Sequence, residues 1–113
     1  MDAPLSINLQ AIIDDPQAWE LFRDGVEVHW FYQTNEDGPA SALLKYAPGA
    51  VVPLHEHAGY EHILVLHGAQ QDEHGAHNKG ELTVNPPGSS HSVSSSGGCI
   101  VYAVWERPPV FKT

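Results

Sequence analysis

The sequence has a single cysteine and few basic residues. Cys99 is the only cysteine among 113 residues, so no disulfide can form within the chain. Five basic residues stand against 14 acidic ones, giving a formal net charge of −9, so neither nucleic acid nor an anionic membrane is an expected partner. The longest apolar run, 99–105, is about a third of the length that a membrane span requires. No basic start precedes an apolar stretch after Met1, so we expect no signal peptide and a reduced, cytoplasmic setting.

The chain also has no long amphipathic helical pattern. At 113 residues it is one domain, large enough to bury a single core. Its apolar stretches are short, rich in β-branched and aromatic residues, and separated by glycine and proline turns, which predicts an all-β sandwich or barrel. A single helical turn is expected over 16–22, where proline opens the segment. The predicted strands cover 26–33, 40–46, 51–57, 60–66, 81–85, 91–94 and 100–106, with a polar hairpin at 70–79.

Four side chains suited to a transition metal occupy these strands. Alternate residues of a strand point to one face, so His55 and His57 project together, while Glu61 opens the next strand beside them after a turn. His91 comes from another strand, after a proline-glycine turn. Three imidazoles and one carboxylate suit Zn, Fe(II), Mn, Ni or Cu rather than Ca or Mg. Histidine and glutamate are costly inside a barrel unless they are paired or coordinated, so we predict that these four bind one metal ion.

The spacing of these residues resembles the two cupin motifs. The first motif is present as Gly49-x5-His55-x-His57-x3-Glu61-x6-Gly68. The second is present as Gly80-x5-Pro86-x-Gly88-x2-His91, and its last position, often Asn in cupins, is Ser95. A narrower resemblance, from about Trp19 to Trp105, is to ChrR-like cupins. That group includes the C-terminal domain of ChrR anti-sigma factors and small cupins similar to acetylacetone and dihydroxyacetophenone dioxygenases.

The resemblance implies a single small cupin barrel, a double-stranded β-helix related to the jelly roll, over 26–113, with an N-terminal extension over 1–25 packing on it. It implies one divalent metal ion (Zn, Fe(II), Mn or Ni) and a small-molecule ligand in the barrel. The function it favours is an Fe(II)-type dioxygenase acting on an oxygen-chelating molecule such as a diketone. The alternative is a non-catalytic zinc-binding sensor of a ligand or oxidant. The sequence has no second cysteine or long helix that would form an anti-sigma domain.

Three further residues are candidates for the pocket or its surroundings: Tyr60, Val65 and Cys99. Tyr60 precedes Glu61. Val65 lies four residues after Glu61, so both side chains should point to the inner face of their strand. Cys99 lacks a basic neighbour in sequence that would lower the pKa of its thiol, so a buried, inert cysteine is expected. Alternation along the same strand turns Leu64 and Leu66 outward, which suggests a partner subunit and hence a homodimer.

The remaining histidines are not expected to form a second site. His67 has the inward phase of Glu61 but lies six residues further on, about 20 Å along a strand, so we expect it at the far rim of the barrel. His74 and His77 fall in the polar hairpin, where a solvated turn is expected. His29 and His62 are interpreted as structural or surface residues.

Overall fold

Strands dominate the protein, as the short apolar stretches between glycine and proline turns predicted. The computed structural model describes residues 3–111. The strands found there are β1 (Glu20–Arg23), β2 (Val26–Gln33), β3 (Ala40–Tyr46), β4 (Ala50–Glu56), β5 (Glu61–Asp72), β6 (Gly75–Asn78), β7 (Leu82–Asn85), β8 (Ser90–Ser95), β9 (Cys99–Trp105) and β10 (Val110–Phe111). They are preceded by helix α1 (Leu9–Ile13) and a 3₁₀ turn (Pro16–Ala18).

The strands curl into one antiparallel barrel-like sheet. Their order is β1-β2-β3-β9-β5-β8-β4-β10, and β6 and β7 also pair with β5. The 12-residue β5 joins the two halves, because its first part pairs with β7 and β9 and its last part with β6 and β8. Within the first part, the pairing with β9 shifts register between Val65 and His67. The predicted all-β barrel architecture is therefore confirmed.

The core lies between the inward faces of the curled sheet. Along β9, Cys99, Val101, Ala103 and Trp105 are buried, and the residues between them are only partly buried. This alternation settles which face of β9 turns inward, a question that the sequence leaves open. Burying one valine-sized side chain contributes about 1.5–3 kcal/mol to folding, so this face is a main source of stability.

The limits of the predicted strands agree closely with the structure in the centre of the chain. The predicted ranges 26–33 and 40–46 coincide with β2 and β3. The strand predicted over 60–66 is instead the long β5, because pairing with β6 and β8 carries it through the first half of the predicted polar hairpin. The helical turn predicted over 16–22 ends at Ala18, and β1 follows it. β1 forms by pairing with β2. Because its Leu21 is 77% exposed, the segment lacks the alternation of buried and exposed side chains that would predict a strand.

The helices are short and lie before the barrel. Asn8 caps α1, because its side-chain oxygen accepts a hydrogen bond of 3.1 Å from the backbone N–H of Ala11. Ile12 and Ile13 of α1 are half-buried. No helix between residues 3 and 111 has the length and apolar character that a bilayer crossing demands.

Gly68 is the point at which β5 cannot carry a side chain. It has φ +74°, and a Cβ there would lie 2.3 Å from the carbonyl oxygen of Gly98. We expect Gly68→Ala to lower the free energy of unfolding by about 2–4 kcal/mol, because both the backbone strain and the overlap act against the native state. Gly97→Ala is the matched control, since a Cβ at Gly97 meets no atom within 4 Å. Equal urea midpoints for the two variants would contradict this account.

Candidate metal centre

Strand pairing brings the four predicted ligands together. His55 in β4 lies directly opposite His91 in β8, and Glu61 begins β5 opposite Trp105. His57 follows β4 and is held by two backbone hydrogen bonds of 2.8 Å, one to the carbonyl of Ser89 and one from the N–H of Gly88. The ligand-bearing ends of three strands therefore meet at one place inside the barrel.

The four side chains form a compact, buried group. Their candidate ligand atoms all lie within 4.8 Å of one another. The exposed fractions are 5% for His55, 2% for His57, 5% for Glu61 and 5% for His91. The imidazole centroids are 4.7–5.2 Å apart, and the rings meet edge to face. The group therefore has the size and the donors to hold one metal ion.

Hydrogen bonds outside the group fix which nitrogen each imidazole turns inward. Nδ1 of His55 lies 2.9 Å from the carbonyl oxygen of Pro53, which can only accept, so that nitrogen is the protonated donor. The bulge in β4 between Val52 and His55 exposes this carbonyl to the ring. With Nδ1 protonated, the lone pair of Nε2 is free for a metal ion.

His57 and His91 are oriented in the same way. Nδ1 of His57 lies 2.9 Å from the hydroxyl oxygen of Ser89, which accepts because its own proton is donated to the carbonyl of Pro86 at 2.6 Å. Nδ1 of His91 donates to Oδ2 of Asp72 at 3.2 Å. All three imidazoles thus present Nε2 to the same point, each through a different acceptor.

Glu61 is held as a carboxylate by two other donors. The indole N–H of Trp105 donates to Oε2 at 2.6 Å, and the amide of Asn85 donates to Oε1 at 3.0 Å. Burial disfavours the charged form, but a proton on His57, the Trp105 hydrogen bond and a charge on His91 outweigh it and hold the pKa of Glu61 below its usual value. Glu61 is therefore a fixed anion facing the imidazoles.

Burial also disfavours the charged form of His55, and there it prevails. It lowers the pKa of His55 and outweighs the hydrogen bond to Pro53, which favours the charged ring. The neighbouring imidazoles of His91 and His57 lower it further, whereas Glu61 raises it. A neutral imidazole is the form that binds a metal ion.

The contact between His57 and Glu61 indicates that these residues fit a metal ion. Nε2 of His57 is buried without a hydrogen-bond partner, yet it lies 3.0 Å from Oε1 of Glu61. With Nδ1 donating to Ser89, Nε2 carries a lone pair, so two acceptor atoms face each other in the core. Such a contact is favourable only with a cation between the atoms, either a proton or a metal ion. Three nitrogen donors and one oxygen donor suit Zn, Fe(II), Mn or Ni.

The other histidines stay outside this group. His62 and His74 are exposed, and Nδ1 of His29 bonds to the carbonyl of Ala18 at 2.7 Å. His67 is also exposed, which makes its predicted inward orientation wrong. The register shift after Val65 reverses the phase of β5, so the strand runs on to Asp72 and does not end at His67.

The bulge in β5 has a second effect, which the sequence analysis missed. Beyond it Gln70 turns inward, and the side chain of Asp72 is only 5% exposed and reaches His91. Burial raises the pKa of Asp72, but contacts with His77, the N–H of His74 and His91 lower it overall. His77, at 3.0 Å from Oδ2 of Asp72, is partly buried and is not the solvated residue that we expected.

The three further candidates differ in position. Val65 and Cys99 belong to the hydrophobic core, with 1% and 4% exposure, whereas Tyr60 is 50% exposed. None of them lines the small cavity of about 40 Å³ that adjoins His55, Glu61 and His91. The aromatic side chains that do line it are Phe22, Tyr46, Trp105 and Phe111. Burial raises the pKa of the Cys99 thiol, outweighing a hydrogen bond from Ser95, which agrees with the inert cysteine predicted.

Removal of two imidazoles should abolish metal binding. We expect the double variant His55→Ala/His91→Ala to lose stoichiometric metal after dialysis, because two of the four donors disappear. The double variant His74→Ala/His77→Ala should retain it, with at most an affinity loss of a few fold, because His77 reaches the centre only through Asp72. Elemental analysis of the purified proteins measures this, and retention by the first variant would contradict the site.

Asp72→Ala should weaken metal binding by about 10–100-fold while leaving all four ligands in place, because His91 loses the acceptor that fixes its Nδ1–H. Competition with a chromogenic chelator measures the affinity. Glu73→Gln is the matched control, since this adjacent carboxylate bonds to Ser92 and not to a ligand. The ¹⁵N shifts of His91 should report a mixture of tautomers in metal-free Asp72→Ala. An unchanged affinity together with an unchanged tautomer would refute the role of Asp72.

Comparison with known proteins agrees with this architecture. The acetylacetone dioxygenase of Acinetobacter johnsonii has a TM-score of 0.83 at 14% identity, covering 100% of this chain and 80% of that one. A putative acetylacetone dioxygenase of Methylibium petroleiphilum gives 0.80 at 14%, covering 100% and 85%. The anti-sigma factor ChrR of Rhodobacter sphaeroides, in complex with SigE, gives 0.68 at 25%, covering 92% and 70%.

Among curated proteins none matches this chain. The model of the ChrR cupin-like domain, in contrast, matches residues 9–107, which is most of the sequence and includes all four candidate ligands. The chain therefore belongs to the ChrR cupin-like family.

Proposed function

We propose that the protein is a metal-dependent dioxygenase that acts on a small molecule chelating through two oxygen atoms, such as a diketone. The observation that supports this most is the buried group of His55, His57, Glu61 and His91 around one point. A divalent transition ion held there would supply open coordination positions for the chelating oxygens and for O₂. Four protein donors leave two positions on an octahedral ion.

The residues around the group have separate tasks in this proposal. Pro53, Ser89 and Asp72 keep the imidazoles in one tautomer, so no reorientation is needed when a ligand arrives. Trp105 and Asn85 hold Glu61 in its charged form, which offsets the positive charge of the ion. The apolar walls exclude bulk water, which strengthens the electrostatic interactions within the site.

The structural likeness to the acetylacetone dioxygenase of Acinetobacter johnsonii supports the choice of substrate to test. At 14% identity this likeness extends to the fold alone, so the reaction itself belongs to the proposal. Iron in the Fe(II) state is the ion that we propose for turnover, since it both binds nitrogen and oxygen donors and reacts with O₂.

A zinc-binding sensor is the second candidate, and two observations favour it. The family model is that of the ChrR cupin-like domain, and ChrR itself is 25% identical to this chain. The cavity beside the ligands, at about 40 Å³, holds only a few water molecules. Because Cys99 is buried with a raised thiol pKa, a sensor of this kind would respond at the metal centre and not through its cysteine.

Metal content and oxygen uptake distinguish the two candidates. The protein is purified without added metal, its bound elements are measured, and it is then loaded with Fe(II) under anaerobic conditions. We expect oxygen uptake on addition of a β-diketone, with one O₂ consumed per molecule of diketone lost, because a dioxygenase places both oxygen atoms in its products. His55→Ala/His91→Ala is the inactive control. Stoichiometric zinc with no oxygen uptake by the Fe(II)-loaded protein would overturn the dioxygenase in favour of the sensor.

A homodimer remains part of the proposal. Leu64, on the outward face of β5, lies opposite Leu82 of β7, and Leu82 and Val84 are 59% and 49% exposed. These side chains form an apolar surface that a second copy of the chain would cover. The cytoplasmic location is likewise a proposal that rests on composition.

A further inference from the structure

A wall of four residues separates the cavity at the metal centre from a second, larger cavity. The inner cavity measures about 40 Å³ and the outer one about 260 Å³. Phe22, Trp105, Pro109 and Phe111 line both of them. Together the two cavities reach the lower end of the range of small-ligand pockets, about 300–1,000 Å³, whereas the inner one alone is far below it.

Phe111 is the part of this wall that packs against a candidate metal ligand. It lies in β10, which has only two residues, and it pairs with His55 of β4. Its ring centroid is 5.2 Å from that of His55, and the guanidinium of Arg23 lies 4.2 Å from the ring centroid. The side chain is nevertheless 38% exposed. Because the ring is partly exposed, a rotation toward solvent would open the wall beside His55.

Trp105, in contrast, is a fixed part of the wall. It is 5% exposed, lies in the central strand β9, and donates its indole N–H to Glu61. The same side chain therefore orients a candidate metal ligand and lines the outer cavity. A group bound in the outer cavity would contact the indole directly.

The outer cavity has the surface of a site for a flat apolar group. The ring of Trp30 lies 5.7 Å from that of Phe22 and 5.9 Å from that of Trp105, and these three side chains line the cavity together with Phe111. Aromatic faces of this kind favour a planar ring, by stacking or edge contact. Its lining also includes Glu36, which disfavours an anionic group.

We propose that the outer cavity binds the body of the ligand whose two oxygens reach the metal centre, and that Phe111 moves aside to join the cavities. The ligand is an uncharged oxygen chelator that carries one aromatic ring, such as an aryl β-diketone. The chelating end of this ligand rests on the proposed function, whereas its aromatic ring is inferred separately, from the outer cavity.

Ala40 offers a test outside the ligand set, because it lines the outer cavity and not the inner one. Ala40→Phe should fill the outer cavity. Benzoylacetone and acetylacetone are the probes, and quenching of tryptophan fluorescence measures binding, since Trp30 and Trp105 line the cavity. We expect Ala40→Phe to weaken benzoylacetone binding by about tenfold or more and acetylacetone binding by no more than about twofold. Ala76→Phe, at an exposed position of β6, is the matched control.

The titrations are run on metal-free and on Fe(II)-loaded anaerobic protein, which separates this inference from the proposed function. Benzoylacetone binding that is absent, or equal in the wild type and Ala40→Phe, would overturn the aromatic cavity whether or not metal binds. Binding that Ala40→Phe weakens in a protein unable to hold metal would refute the metal-dependent function and support the cavity. Phe111→Ala should speed benzoylacetone association about fivefold or more, and an unchanged rate would refute the role of Phe111.

Discussion

The structure depends on the burial of one carboxylate and three imidazoles at the mouth of an apolar barrel. Removing such groups from water costs several kcal/mol unless each polar atom finds a partner. In this protein the three Nδ1 atoms and both oxygens of Glu61 do, whereas the three Nε2 atoms point into the group, where that of His57 faces Oε1 of Glu61 at 3.0 Å. The unmet requirement is at the centre of the group, where a cation would satisfy all four side chains together.

The surroundings of this group explain how it keeps its shape. Three unrelated acceptors, the carbonyl of Pro53, the hydroxyl of Ser89 and the carboxylate of Asp72, each take the Nδ1 proton of one imidazole. Each acceptor depends on an irregular feature of the backbone, namely the bulge in β4, the proline turn before β8 or the bulge in β5. The deviations from regular strands are therefore what positions the metal donors.

In the arrangement that we propose, Phe111 of β10 controls access to the group from the side of the outer cavity. Trp105 contacts both the candidate metal ligands and the cavities, because its indole N–H bonds to Glu61 and its ring lines both cavities. A change in what occupies the outer cavity would thus act on the orientation of a metal ligand. The same contact would serve an enzyme that binds a substrate or a sensor that responds to a ligand.

Most strands, the four candidate ligands and the family could be predicted from the sequence, because alternation along a strand and the spacing within the two motifs are local properties. The sequence also predicted correctly which side chains of β5 point inward, as far as Val65. It did not place Asp72 or His67, since a single extra residue at the bulge reverses every later side chain and leaves no periodic signal. Nor did it assign a role to Phe111, whose two-residue strand exists only through pairing with β4. Hydrogen-bond partners and cavity walls come from segments distant in the chain, so they form only when folding brings those segments together.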